Sequence, residues 1–153
     1  SRKLGSKIFN SNKDLSKVNI FEKFDLIWCG SLITHLNEKD VFELIRFFSS
    51  VLNESGLLIF TTHGQFSYNL LSSGSNNYGI KNSKIPIILN EFETRGFGFS
   101  SYVDEIDYGI SIVTFKKMNE IISLFPDLII TSFLEKSWDN HQDVFAVKKI
   151  HKR

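Results

Sequence analysis

Cysteine occurs once in the 153 residues, methionine once and proline twice. One cysteine cannot form an internal disulfide. That excludes a secreted, disulfide-stapled scaffold and points to a reducing compartment, the cytoplasm. Alanine also occurs once, at Ala146, while Ile, Asn, Lys, Phe and Ser abound. That bias fits an AT-rich coding sequence and carries no functional signal. An excess of one charge is missing too: 18 Lys and Arg face 17 Asp and Glu, a net +1. A bulk polyanion-binding surface is excluded, so nucleic acid is not an expected partner. No apolar run approaches the roughly 20 residues of a membrane span, and no membrane partner is expected. The opening residues lack the basic, apolar and cleavage-site succession of a secretory leader. The chain begins Ser1-Arg2-Lys3 and its methionine is Met118, so residue 1 is not expected to be a natural translation start. What is present is ordinary for a soluble globular protein: 42% hydrophobic and 23% charged residues, enough for one domain over 1–153 with a real core.

Residues 6–10 read as a short strand, followed by turn formers Asn12, Asp14 and Asn19. Residues 24–29 (Phe-Asp-Leu-Ile-Trp-Cys) are apolar at nearly every position rather than at alternate ones. Such runs are typical of strands covered on both faces, as in a parallel sheet flanked by helices. Over 38–52, Val41, Leu44, Ile45, Phe48 and Leu52 share one helical face. Asn37 suits the N-cap of that helix, and Glu38 and Asp40 suit its positive dipole end. Asn53-Glu54-Ser55-Gly56 stops it, and 57–62 is a second strand read as buried on both sides. Strand, helix and strand make a right-handed βαβ unit. The pattern then predicts a short helix at 65–71, a polar loop at 72–84, and a helix at 85–95 with Pro86 in its first turn. A Gly- and aromatic-rich loop follows at 96–108, an extended segment at 108–115 and a helix at 116–125 ended by Pro126. Strands at 128–134 and 143–149 form a terminal antiparallel hairpin.

Residues 24–36 (Phe-Asp-Leu-Ile-Trp-Cys-Gly-Ser-Leu-Ile-Thr-His-Leu), the amphipathic helix, and 52–64 (Leu-Asn-Glu-Ser-Gly-Leu-Leu-Ile-Phe-Thr-Thr-His-Gly) together resemble the class I, Rossmann-like S-adenosylmethionine-dependent methyltransferases. In that family an F-D-x-I strand, a loop ending H-L, a helix and a Gly-Gly-x-Leu strand supply the fourth and fifth strands. Here Ser55 stands at the first glycine. The resemblance implies an α/β fold with strands equivalent to 3, 4, 5, 6 and 7, flanking helices and the family's antiparallel terminal hairpin. The family's strand order is 3-2-1-4-5-7-6. Its Gly-x-Gly-x-Gly loop after the first strand, and the acidic residue after the second, have no counterpart upstream of residue 6. Gly96-Phe97-Gly98 follows a predicted helix, not a buried strand, and does not replace that loop. The expectation is a domain truncated at its N-terminal side. Its strand at 24–29 would then be a bare edge for a missing N-terminal segment or an oligomer partner to cover, since such edges invite aggregation.

By the same resemblance, Ser11 and Asn12 lie where the family contacts adenine, and Cys29, Gly30 and Ser31 where loop backbone meets the cofactor's amino-acid part. Ligands of open α/β sheets sit at the carboxyl ends of strands. The implied cofactor is S-adenosylmethionine. The implied reaction is methyl transfer, and the near-neutral charge makes a small molecule or saccharide the expected acceptor; His63, then His35 and His141, are candidate bases because imidazole titrates near neutrality. Each has a bland reading beside it. His35 packs a helix entry, and His141 lies in a polar turn, 138–143, of a composition that hairpins favour anyway. Tyr78, Tyr102, Tyr108, Phe97 and Phe99 either line a substrate lid or pack loop on core. No short ligand spacing supports a metal site on His35, His63 and His141, and Cys29 has no paired base to make it a nucleophile. Two alternatives stay open: a non-catalytic remnant or binding subunit that pairs through its edge strand, and another Rossmann-like enzyme such as one acting on nucleotide sugars.

Overall fold

The computed structural model describes residue 12 and residues 14–151. The strand expected at 6–10, equivalent to the family's third, lies outside the described residues, as does Ser11. The elements run β1 (Phe24–Cys29), α1 (Glu38–Val51), β2 (Leu52–Thr62), α2 (Gln65–Ser72), α3 (Ile85–Arg95), β3 (Phe97–Ser101), β4 (Gly109–Val113), α4 (Phe115–Ser123), β5 (Leu128–Trp138) and β6 (Gln142–Lys149). Asn37 caps α1 by accepting from the Asp40 N–H at 2.9 Å, and Thr114 caps α4 through Lys117 N–H at 3.1 Å. Each satisfies an amide that the helix itself leaves unpaired. Gly96 ends α3 at φ 75°, a left-handed conformation that costs glycine nothing. No helix among the described residues is long and apolar enough to cross a membrane.

β1 and β2 pair in parallel, with Cys29 opposite Phe60. β6 then inserts antiparallel between β2 and β5, so the main sheet runs β1-β2-β6-β5. That is the 4-5-7-6 order the resemblance implies. The hairpin is therefore not simply an edge: β5 is the edge and β6 is interior. One face of the sheet carries the core. Phe60 and Phe145 stack at 5.2 Å, Phe133 and Phe115 join them, and Val41, Leu44 and Ile45 of α1 and Met118, Ile121 and Ile122 of α4 close over the top. A second cluster (Leu71, Ile80, Ile88, Phe92, Ile110, Ile112) builds a small subdomain from α2, α3 and β4.

Two expectations need correction. Residues 96–108 are not all loop, because 97–101 form β3, paired antiparallel with β4. Gly98 allows this: a Cβ there would lie 2.2 Å from the Ile88 carbonyl oxygen, so only glycine lets β3 sit so close to α3. Nor are β1 and β2 buried on both faces. The register puts Leu26 and Trp28 beside Leu57 and Ile59 on the face away from the core. Trp138, at the tip of the terminal hairpin, reaches Trp28 on that face at 4.8 Å, and much of the rest stays open. Leu26 is 58% exposed, Trp28 47% and, on β5, Leu134 54%. The strands are apolar enough for two covered faces, and the described elements cover one.

Ser55 occupies φ 64°. The turn needs the left-handed backbone that the family's glycine adopts freely, and serine holds it at a cost of roughly 1 kcal/mol. Ser55→Gly is therefore expected to stabilise the fold by about 0.5–1 kcal/mol in urea unfolding. Leu58→Ala, on the covered face, should cost about 2–5 kcal/mol, whereas Leu26→Ala should cost about 1 kcal/mol or less. Equal losses would mean that the open face is covered in solution.

Candidate functional site

The carboxyl ends of β1 and β2 lie side by side, and β6 begins there. Three sequence-distant segments therefore meet: 29–31 after β1, 61–64 at the end of β2, and the hairpin turn before β6. Ser31 takes φ 56°, which turns its amide toward β2. There it donates to Thr61 Oγ1 at 2.8 Å, and the Ser31 and Thr61 hydroxyls both donate to Gln142 Oε1, at 3.1 and 2.5 Å. Asp139 and Asn140 hold the turn with φ of 54° and 50°, and His141 N–H donates to the Trp138 carbonyl at 3.0 Å. This is the two-residue turn whose twist suits a hairpin. The hairpin tip curls over the sheet end, bringing Trp138 to 4.8 Å from Trp28. A Cβ at Gly64, at the exit of β2, would lie 1.8 Å from Asp143 Oδ2, so a larger residue there would displace that carboxylate. Burial pushes the Asp143 carboxyl up, against the hydrogen bond it accepts from Lys136 N–H at 2.9 Å.

The three candidate histidines separate into two environments. His35 is built into the subdomain contact: its Nδ1 donates to the Gly109 carbonyl at 2.8 Å, Tyr102 Oη is 3.1 Å from the same nitrogen, and Tyr108 stacks at 5.1 Å. His63 and His141 come together, rings 5.3 Å apart and edge to face, with Tyr78 5.0 Å from His63. His63 is buried, and its Nδ1 has no hydrogen-bond partner. Burial, then the His141 and His35 rings, hold its pKa down to about 3, with the Ser111 backbone opposing. It is a neutral and weak base at physiological pH. His141 is bonded instead, its Nε2 lying 2.8 Å from Tyr78 Oη. Burial pushes the Tyr78 phenol up, and Ser67, which approaches it without completing a hydrogen bond, pulls the other way. Among the described residues no group of three metal-ligating side chains converges.

The cofactor candidates also divide. Cys29 is buried and its thiol pushed up to about 11 by burial, so only its backbone faces the sheet end. Gly30 and Ser31 are half-buried there. Asn12 accepts from Asp14 N–H at 2.9 Å and lines a cavity of about 670 Å³ together with Leu32, Leu36 and Tyr108. That cavity joins the Asn12 turn to the loop leaving β1, but Cys29, Gly30 and Ser31 do not line it. Sequence reading missed Thr61, Gln142 and the pairing of Tyr78 with His141. The density of polar residues at 138–143 was the available signal for Gln142; the sequence offers Tyr78 as a lid or packing residue but carries no signal for its pairing with His141.

No protein-family model matches the chain, and no curated protein matches it in sequence. Solved structures do match. An S-adenosylmethionine-dependent methyltransferase from Clostridium acetobutylicum is 17% identical, with 90% of this chain and 63% of that one covered at TM-score 0.55. One from Methanosarcina mazei is 16% identical, covering 88% and 64% at 0.52. Magnesium protoporphyrin IX methyltransferase from Synechocystis, solved with bound S-adenosylhomocysteine, is 10% identical, covering 89% and 48% at 0.51. The chain therefore has the fold of the S-adenosylmethionine-dependent methyltransferases, as the resemblance over 24–64 implied. It spans about half to two thirds of the length of these structures.

His63 makes stability depend on acid. Its folded pKa lies below the unfolded value of 6.5, so below pH 6.5 the unfolded chain binds the extra proton first. The contribution is whole above pH 6.5 and falls by roughly 1.4 kcal/mol for each pH unit below it. Asp143, shifted upward, acts in the opposite sense near the carboxylate range. His63→Gln should flatten the decline between pH 6.5 and 4.5 in urea unfolding.

Proposed function

We propose that this chain is the carboxyl-terminal part of a methyltransferase that passes a methyl group to a small molecule or saccharide. The observation that carries this is the β1-β2-β6-β5 sheet with a converging polar cluster at the carboxyl ends of its parallel pair. Open α/β sheets bind ligands there.

The residues present fit part of an S-adenosylmethionine site. Asn12, Leu32, Leu36 and Tyr108 line a cavity of suitable size and offer amide and apolar contacts for a flat base. Asp14, Glu105 and Asp107 on its wall offer carboxylates, which suit hydroxyl donors and a cationic sulfonium. The backbone at Cys29, Gly30 and Ser31 would meet the amino-acid end. When bound, the cofactor supplies a methyl group already activated as a leaving carbon. The protein's task is to align the acceptor, exclude water and, for a hydroxyl acceptor, take up one proton. His63 is neutral and accepts a proton poorly, and His35 is tied to Gly109. His141 is the remaining histidine at this end of the sheet.

The open face bearing Leu26, Trp28 and Leu134, and the outer edge of β1, unpaired among the described residues, support a further layer on the domain, either upstream on the same polypeptide or on a partner. They also favour the second reading, a non-catalytic subunit that pairs through β1. Titration calorimetry separates the two. The chain alone is expected to bind S-adenosylmethionine no better than millimolar, and the chain with its covering layer to bind at micromolar levels. Micromolar binding by the chain alone overturns the fragment reading. No binding by the completed domain overturns the methyltransferase reading and leaves the pairing subunit.

A further inference from the structure

His63 Nδ1 is buried without a hydrogen-bond partner, on a residue 4% exposed, and the fully buried Ser67 approaches the same phenol. A buried polar atom with no partner costs roughly 1–3 kcal/mol, and such an atom in a native fold calls for an explanation. The side chain that both residues meet is Tyr78. Its ring is 5.0 Å from His63 and 5.6 Å from His141, and its hydroxyl is 2.8 Å from His141 Nε2. Tyr78 also holds φ 51°, an unfavourable backbone for a bulky residue that persists only where its surroundings insist on it. The other side chains facing His141 are Phe66, at 5.4 Å edge to face, and His63. Tyr78 and His141 are half-buried, so a ligand can reach them.

We propose that Tyr78 and His141 form a proton relay for a hydroxyl acceptor, with the acceptor's O–H donating to Tyr78 Oη. This rests on the methyl-transfer reading and deepens it. The Tyr78 proton lies on the bond to His141 Nε2, so the Oη lone pairs are free to accept. As the acceptor oxygen bonds to carbon, the sulfur–carbon bond breaks and its pair stays on sulfur. The acceptor's proton moves to Tyr78 Oη, and the original Tyr78 proton moves to Nε2, leaving a neutral phenol and an imidazolium that discharges to water. Tyr78, raised by burial, stays a phenol before and after. The neutral, buried His63 ring shapes the site and takes no proton.

Histidine-labelled NMR of the 153-residue chain tests the pair without turnover. Neutral His141 should carry its proton on Nδ1, and Tyr78→Phe should shift the Nε2 resonance and the tautomer balance while circular dichroism stays unchanged. A protonated Nε2 in the wild type, or a His141 spectrum indifferent to Tyr78→Phe, overturns the relay. Methyl transfer by the completed domain, read as S-adenosylhomocysteine release, uses phenol and methyl α-D-glucopyranoside as probes and separates aromatic from saccharide hydroxyls. Tyr78→Phe and His141→Gln should each lower kcat about 100-fold or more with acceptor KM and cofactor affinity little changed. Wild-type kcat in Tyr78→Phe, or turnover of neither probe, overturns the proposal. Failure of the completed domain to bind cofactor sinks the methyltransferase reading instead, and the histidine spectrum still decides whether the pair exists.

Discussion

The antiparallel pairing of β6 with β2 is the constraint on which the rest depends. Thr62 lies opposite Asp143 and Thr61 opposite Val144. Because β6 runs against β2, its beginning lies at the carboxyl end of β2, and the turn before it lies over the exit of β1. A parallel last strand would present its end there, and 138–142 would sit at the far side of the sheet. Reversal of one strand thus brings Gln142 to Ser31 and Thr61, and His141 to Tyr78. The pairing is secured beneath the site by Phe60 stacked on Phe145 at 5.2 Å, both buried.

Part of the cost of that arrangement lies at the sheet end. Left-handed backbone at Ser31, Tyr78, Asp139 and Asn140 clusters around the sheet end. Buried polar atoms without partners occur at Thr62, His63 and Ser67. Local departures from the cheapest conformation are expected where a sequence serves something besides folding. In the covered core, α1 and α4 are capped and the rings of Phe60, Phe133 and Phe145 interlock, although Ser55 of β2 also holds left-handed backbone.

Much of the fold was legible in local pattern. The βαβ unit declares itself through unbroken apolar strands and a helical stripe, and α3 was read at its observed limits because Pro86 and Gly96 punctuate it. β3 was not, since Phe97-Gly98-Phe99-Ser100-Ser101 has the glycine and serine of a loop and pairs only because Gly98 admits Ile88. One-sided burial was also invisible, because apolar residues on both faces of a strand read the same whether one face or both are covered. Of the site, the sheet-end position of 29–31 and of His63 followed from strand boundaries. The histidines' chemistry did not. His63 is suppressed by its packing against rings from other segments. Tyr78 and His141 are 63 positions apart and meet through a turn and a loop that no periodicity relates.

The open face then bears on function as directly as the polar cluster does. Exposed Leu26, Trp28 and Leu134 form part of a continuous sheet surface with Leu57, Ile59, Val144 and Ala146. Exposed apolar patches of such continuity mark surfaces that meet other protein. Among the described residues the outer edge of β1 is unpaired as well, and the exit of β1 is where Ser31 turns toward Thr61 and Gln142. The open face and the sheet-end cluster therefore share one strand, so anything laid over the first would also come close to the second.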